Sequence, residues 1–137
     1  MACPRLEQPL DPTPDDLRRW AYTPGADYPD EFPQDWDLVV AEIERAEQLV
    51  ELASATDCPN RTFFLSCLYI LAGDCVRLAH RRHEIPRLQA VLKSVSPNAP
   101  ADVRQWVERS SRLLDHPEEF EYQGWGWGDL ARGEPGA

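Results

Sequence analysis

The stretch PNRTFFLSCLYILAGDCVRLAHRR, residues 59–82, decides how the rest of this chain is read. Stepped at about 100° per residue, Phe64, Leu65, Cys67, Leu68, Tyr69, Leu71, Ala72, Cys75, Val76, Leu78 and Ala79 cover about half of a helical cylinder. An arc that wide cannot be buried against one neighbour. It predicts a single central helix from about Pro59 to Arg82, sheathed by several other elements. Pro59 suits a helix start, and Pro86 forces the helix to stop or bend by Ile85.

The sheath must come from the flanking segments. On the N-terminal side, residues 35–54 place Trp36, Val39, Val40, Ile43, Ala46, Val50 and Ala53 on one side of a predicted long amphipathic helix. Before it, TPDDLRRWAY (13–22) reads as a short helix, with Thr13 as N-cap, Pro14 in the first position and Asp15 and Asp16 at the positive end of the dipole. A proline-broken loop, TPGADYPDEFPQ (23–34), joins the two. On the C-terminal side, PRLQAVLKSV (86–95) and ADVRQWVERSSRLLD (101–115) repeat apolar residues at helical spacing, separated by the turn SPNAP (96–100).

No strand pattern of useful length appears between residues 35 and 116. The expected architecture is therefore all-α, a single small helical bundle of about four main helices. Residues 1–34 form an N-terminal helical arm with its proline-rich loop, 35–116 the bundle, and 117–137 an extended aromatic, glycine-rich strap. That strap contains EFEYQGWGWGDL (119–130), in which Phe120, Tyr122, Trp125 and Trp127 alternate with glycines and an acid. Either these rings close a seam that the helices leave open, or the tryptophans are held out as anchors for a partner. The terminal ARGEPGA (131–137) reads as disordered.

The charge is lopsided, with 24 acidic against 14 basic residues among 137 and a formal net charge of −10. A field of that sign repels nucleic-acid phosphates and anionic lipid, so neither is an expected partner. No run approaches the roughly 18 apolar residues of a membrane span. The first twenty residues lack the apolar core of an export signal. A cytoplasmic location is the resulting expectation, with Cys3, Cys58, Cys67 and Cys75 as free thiols.

The charge is also segregated. Residues 1–57 hold fourteen acids and four bases, whereas 58–116 hold five acids and nine bases. The basic part concentrates at the end of the central helix in Arg77, His80, Arg81, Arg82, His83 and Arg87. Cations there complement a helix C-terminus, pair with the acidic segments, or form an anion site. Within the helix, Asp74 and Arg77 stand at ion-pair spacing, and Gly73 beside them suggests a close helix crossing.

No metal and no cofactor are expected. Cys58, Cys67, Cys75, His80 and His83 have the spacing C-x8-C-x7-C-x4-H-x2-H, without the short pairs that zinc sites use. HRRHE (80–84) lacks the order of a zinc-peptidase helix. Glu44, Glu47 and Glu51 have no Glu-x-x-His companion of the kind a di-metal bundle needs. There is no nucleophile elbow and no glycine-rich phosphate loop. What remains is a non-catalytic acidic interaction module, an adaptor, inhibitor or immunity- or antitoxin-like protein, facing a protein with a basic surface. Its expected contacts are Glu42, Glu44, Glu47 and Glu51, the loop acids Asp27, Asp30, Glu31 and Asp35, and Trp125 and Trp127. Two other readings compete with it: a small-ligand or anion site, or an enzyme, around Asp74, Arg77 and His80, and an accessory subunit of a larger assembly.

Overall fold

A computed structural model describes residues 3–31 and 34–126. All regular structure among them is helical, without a strand. The α-helices are α1 (Pro14–Ala21), α2 (Trp36–Val40), α3 (Ala46–Ser54), α4 (Arg61–Arg77), α5 (Ile85–Ser94) and α6 (Ala101–Asp115). Short 3₁₀ turns occupy Ile43–Arg45, Ala79–Glu84 and Pro117–Glu119. No single helix among the described residues is long and apolar enough to cross a membrane.

Helix α1 begins as its residues dictate. The Thr13 hydroxyl accepts from the Asp16 N–H at 3.1 Å and the Asp16 carboxylate accepts from the Thr13 N–H at 3.4 Å, a reciprocal capping box ahead of Pro14. Its apolar face, Leu17, Trp20 and Ala21, enters the central core.

The central helix is enclosed as its wide arc requires. Phe64, Leu65, Cys67, Leu68, Tyr69, Leu71, Ala72, Cys75 and Val76 are buried, with α2, α3, α5 and α6 packed around them. It is shorter than predicted, because the rod does not run on to Arg82. At Leu78 the backbone turns extended (φ −100°, ψ 112°), and the chain bends by 114° into the segment Ala79–Ser94. One carbonyl released there finds a donor, as Arg82 Nε–H donates to the Val76 carbonyl at 3.2 Å, while Arg81 turns back onto the Asp74 carboxylate at 3.5 Å. Ala79, expected on the buried arc, is consequently exposed.

The predicted helix over 35–54 is likewise two helices. Ala41 and Glu42 leave helical geometry (ψ 67° and 147°), and a 3₁₀ turn restarts the chain at Ile43. Arg45 donates to the Val39 carbonyl at 3.1 Å, supplying a partner where α2 ends. The break changes the phase of the next helix, so α3 buries Ala46, Leu49, Leu52 and Ala53, whereas one unbroken register favours Val50.

At one end of the molecule five rings from four segments meet. Trp36 stacks on Phe63 at 5.5 Å, Trp20 lies 4.6 Å from Phe63 and 5.2 Å from Trp36, and Tyr28 and Phe64 close the group. Farther along α4, the nearest neighbours of Gly73 are not from a crossing helix. The space a Cβ would fill there is taken by Trp125 and Phe120, both from the segment after α6.

Candidate interaction site

The segment before α1 is anchored residue by residue. The Trp36 indole N–H donates to the Pro9 carbonyl at 2.9 Å. Arg45, only 14% exposed, pairs with Asp11 at 2.6 Å and also reaches the Pro12 carbonyl. Leu10 lies between these two fixed points and is nevertheless 61% exposed. Leu38 is 50% exposed, because on α2 its neighbours Trp36 and Val40 take the core face. Leu10 and Leu38 line one open cleft of about 470 Å³ with Asp11, Val39, Glu42, Glu44 and Arg45.

The rim of that cleft is acidic. Among the described residues Arg45 is the one cation in its lining, and it is committed to Asp11. Glu44 is exposed and has no ion-pair partner among the described residues. Glu42 shares Arg81 with two other carboxylates, at 3.3 Å against 3.1 Å for Glu84 and 3.5 Å for Asp74. Burial pushes the Glu42 carboxyl up, and Arg81 offsets only part of that rise.

Arg81 joins the two helix breaks. It is 12% exposed and touches Glu42 beside the α2 break and Asp74 and Glu84 beside the α4 break. Removing its charge while keeping the three acids should be costly, since half-buried carboxylates then face one another. Arg81→Gln is expected to lower stability by about 2 kcal/mol, read from the urea midpoint at neutral pH. Much of that loss should disappear when Glu42→Gln is added.

The remaining predicted residues scatter. Glu47 pairs with Arg87 at 2.9 Å and Glu51 with Arg18 at 2.9 Å, both at the exposed surface. Asp27, Asp30 and Glu31 line a neighbouring open cleft with Cys3, Arg5 and Pro9. Asp35 is exposed just before α2, in left-handed geometry (φ 59°). Of the basic group, Arg77 binds Asp74 at 2.9 Å, Arg81 and Arg87 bind acids as described, and His80, Arg82 and His83 lie toward the surface. Those six side chains therefore do not converge on one point. Trp125 lies on the α4–α6 side, and Trp127 falls outside the described residues.

Two features escaped the sequence reading. Leu10 and Leu38 carry no signal, because exposure is a property of their neighbours. Arg61 donates through both terminal nitrogens to Asp102 at 2.6 and 2.9 Å and through Nε to the Ala53 carbonyl, tying the ends of α3, α4 and α6. That fork holds the Asp102 carboxyl below its ordinary value. The pair is 41 residues apart in sequence, so only the fold brings it together. Cys58, Cys67 and Cys75 are buried and Cys3 is half-buried, and all four thiols are free. Burial pushes the Cys75 thiol up to about 12, which makes it a packing group and not a nucleophile.

Comparison of the chain with protein-family models, with curated proteins and with solved structures finds no match.

Proposed function

We propose that this protein is a non-catalytic, acidic interaction module, an adaptor or an immunity- or antitoxin-like inhibitor. Its partner is a protein that offers an apolar side chain flanked by lysine or arginine. One observation carries the reading: two large aliphatic side chains, Leu10 and Leu38, are held exposed over a single cleft with an acidic rim. Two aliphatic groups brought together over one cleft, with charge around them, have the apolar centre and polar rim of a contact surface. The finer architecture belongs to the same proposal: the 1–34 arm lends Leu10 and Asp11 to the cleft, the 35–116 bundle supplies the rest of its lining, and residues 117–126 act as a strap on the α4–α6 side. A reducing, cytoplasmic setting suits the free thiols.

The other reading, a small-ligand or anion site or an enzyme around Asp74, Arg77 and His80, draws no support from the arrangement. Arg81 occupies the carboxylates there, and the histidines lie toward the surface. An accessory subunit would use the same apolar cleft and differ in its solution size.

The test starts from whatever co-purifies with the native protein and then measures binding to variants. Leu38→Ser and Leu10→Ser should each weaken binding about tenfold or more without lowering thermal stability. Glu44→Gln should act on the association rate and leave dissociation nearly unchanged. Raising salt from about 0.05 to 0.5 M should slow association several-fold. Binding that ignores both salt and Leu38 would remove the proposal.

A further inference from the structure

The α4–α6 side carries a second site, separate from the Leu10–Leu38 cleft. Gly73 sits mid-helix in α4, and a Cβ there would lie 2.8 Å from Trp125 Nε1, 2.9 Å from Trp125 Cδ1 and 3.2 Å from Phe120. The missing side chain is thus a notch that admits the edge of an indole. Trp125 Nε1–H donates to the Tyr69 carbonyl at 2.7 Å, one turn before the notch. The Arg109 guanidinium, from α6, lies 4.9 Å from the Trp125 ring and 5.2 Å from the Tyr69 ring, and it donates to the Gly124 carbonyl at 3.0 Å. Arg77 covers Tyr122, and Arg112 pairs with Glu119 at 3.1 Å. Three arginines and one notch therefore receive an acidic, aromatic segment.

No backbone–backbone hydrogen bond ties that segment to the core. The backbone hydrogen bonds of residues 117–126 run to one another and to His116, and none joins a helix of the core. The Tyr69 hydroxyl and Arg109 Nη1, both buried, face each other across the seat, and neither has another protein partner. Lifting the segment breaks no helical hydrogen bond.

We propose that the notch formed by Tyr69, Gly73 and Arg109 is a receptor for a tryptophan-bearing acidic segment, filled in cis by Trp125, and that a second copy of this chain supplies the same segment in trans. The occupant is the second copy because its fit is the one the structure displays. A cis segment enjoys a high effective concentration, so exchange becomes visible only when the cis contact is disabled or the protein is concentrated.

Two complementary variants test this on the full chain. Trp125→Ala/Trp127→Ala keeps the notch and lacks the tryptophans. Gly73→Ala keeps the tryptophans and closes the notch. Mixed at high micromolar concentration, the two should form a species of twice the mass by sedimentation equilibrium, to an extent at least about tenfold greater than either alone. A mixture no more associated than its components overturns the proposal. Gly73→Ala also gives a reading that does not depend on the other variant folding. Alanine favours the helix at this interior position, so circular dichroism should hold or rise, while acrylamide quenching of tryptophan fluorescence increases as Trp125 leaves. Unchanged quenching overturns the notch itself.

Discussion

Trp36→Ala should destabilise the protein by about 3–5 kcal/mol, the largest single loss expected in the chain. The side chain is fully buried, stacked on Phe63 and in contact with Trp20 and Tyr28, so its deletion leaves a cavity bounded by rigid rings. The loss has a second part. The Pro9 carbonyl loses its indole donor, and with it goes one of the two anchors that hold Leu10 over the cleft. Trp36→Phe separates the parts, restoring most of the packing but not the donor. It should recover more than half of the stability while leaving amides near residue 10 poorly protected in hydrogen exchange. Protection around residue 10 that matches the wild type in Trp36→Phe would show that the indole N–H does not hold the segment.

Asp16→Ala comes next, at about 3 kcal/mol, and it carries a pH signature. The carboxylate is fully buried and accepts from the N–H groups of Glu7 at 3.0 Å, Gln8 at 3.1 Å and Thr13 at 3.4 Å, with Arg19 at 3.3 Å. Alanine leaves those backbone donors facing a void. Burial by itself would raise the Asp16 carboxyl, but the three N–H donors and Arg19 together outweigh it and hold the group below its ordinary 3.8. The contribution is therefore complete at neutral pH. It begins to fall as pH drops through the unfolded value near 3.8, and is gone below the still lower folded value. Asp102, lowered by the Arg61 fork, loses its share in the same direction. Asp16→Asn should remain weakened at neutral pH and show a flatter acid limb when urea midpoints are compared between about pH 7 and pH 2. An acid limb as steep as that of the wild type would show that Asp16 does not carry the linkage.

The two losses fall on the same segment, residues 7–13, which carries little hydrophobic surface of its own. That segment is held by polar side chains reaching out from α1, α2 and the turn before α3: Asp16, Trp36 and Arg45. The candidate cleft inherits its shape from those anchors. Neither Leu10 nor Leu38 packs into the core, so their positions report how well the anchors hold.

Much of the fold could be read from local pattern. The capping box at Thr13, the burial of the α4 arc, the stripes of α5 and α6 and the proline-bounded ends all arise from interactions within a few residues. The acidic bias is a property of composition, which folding does not alter. Periodicity, however, treats a run of helical residues as continuous. It passed over the breaks at Ala41 and Leu78, because each is stabilised by an arginine from outside the helix it ends: Arg45 at the first and Arg82 at the second. The phase of α3 and the exposure of Ala79 went with those breaks. The use of Gly73 as a notch for an indole was equally invisible, since the ring that fills it lies 52 residues later in the chain.

The sequence by itself determined which segments are helical, which residues are apolar enough to be buried, and that the surface is acidic. Only the tertiary structure decided which arginines are consumed internally, where the long helices break, and which leucines stay uncovered. The reason is one of range. Helix formation and capping are settled within about a turn, where residue type suffices. Ion pairing and exposure depend on which distant groups the packed chain places within a few ångströms.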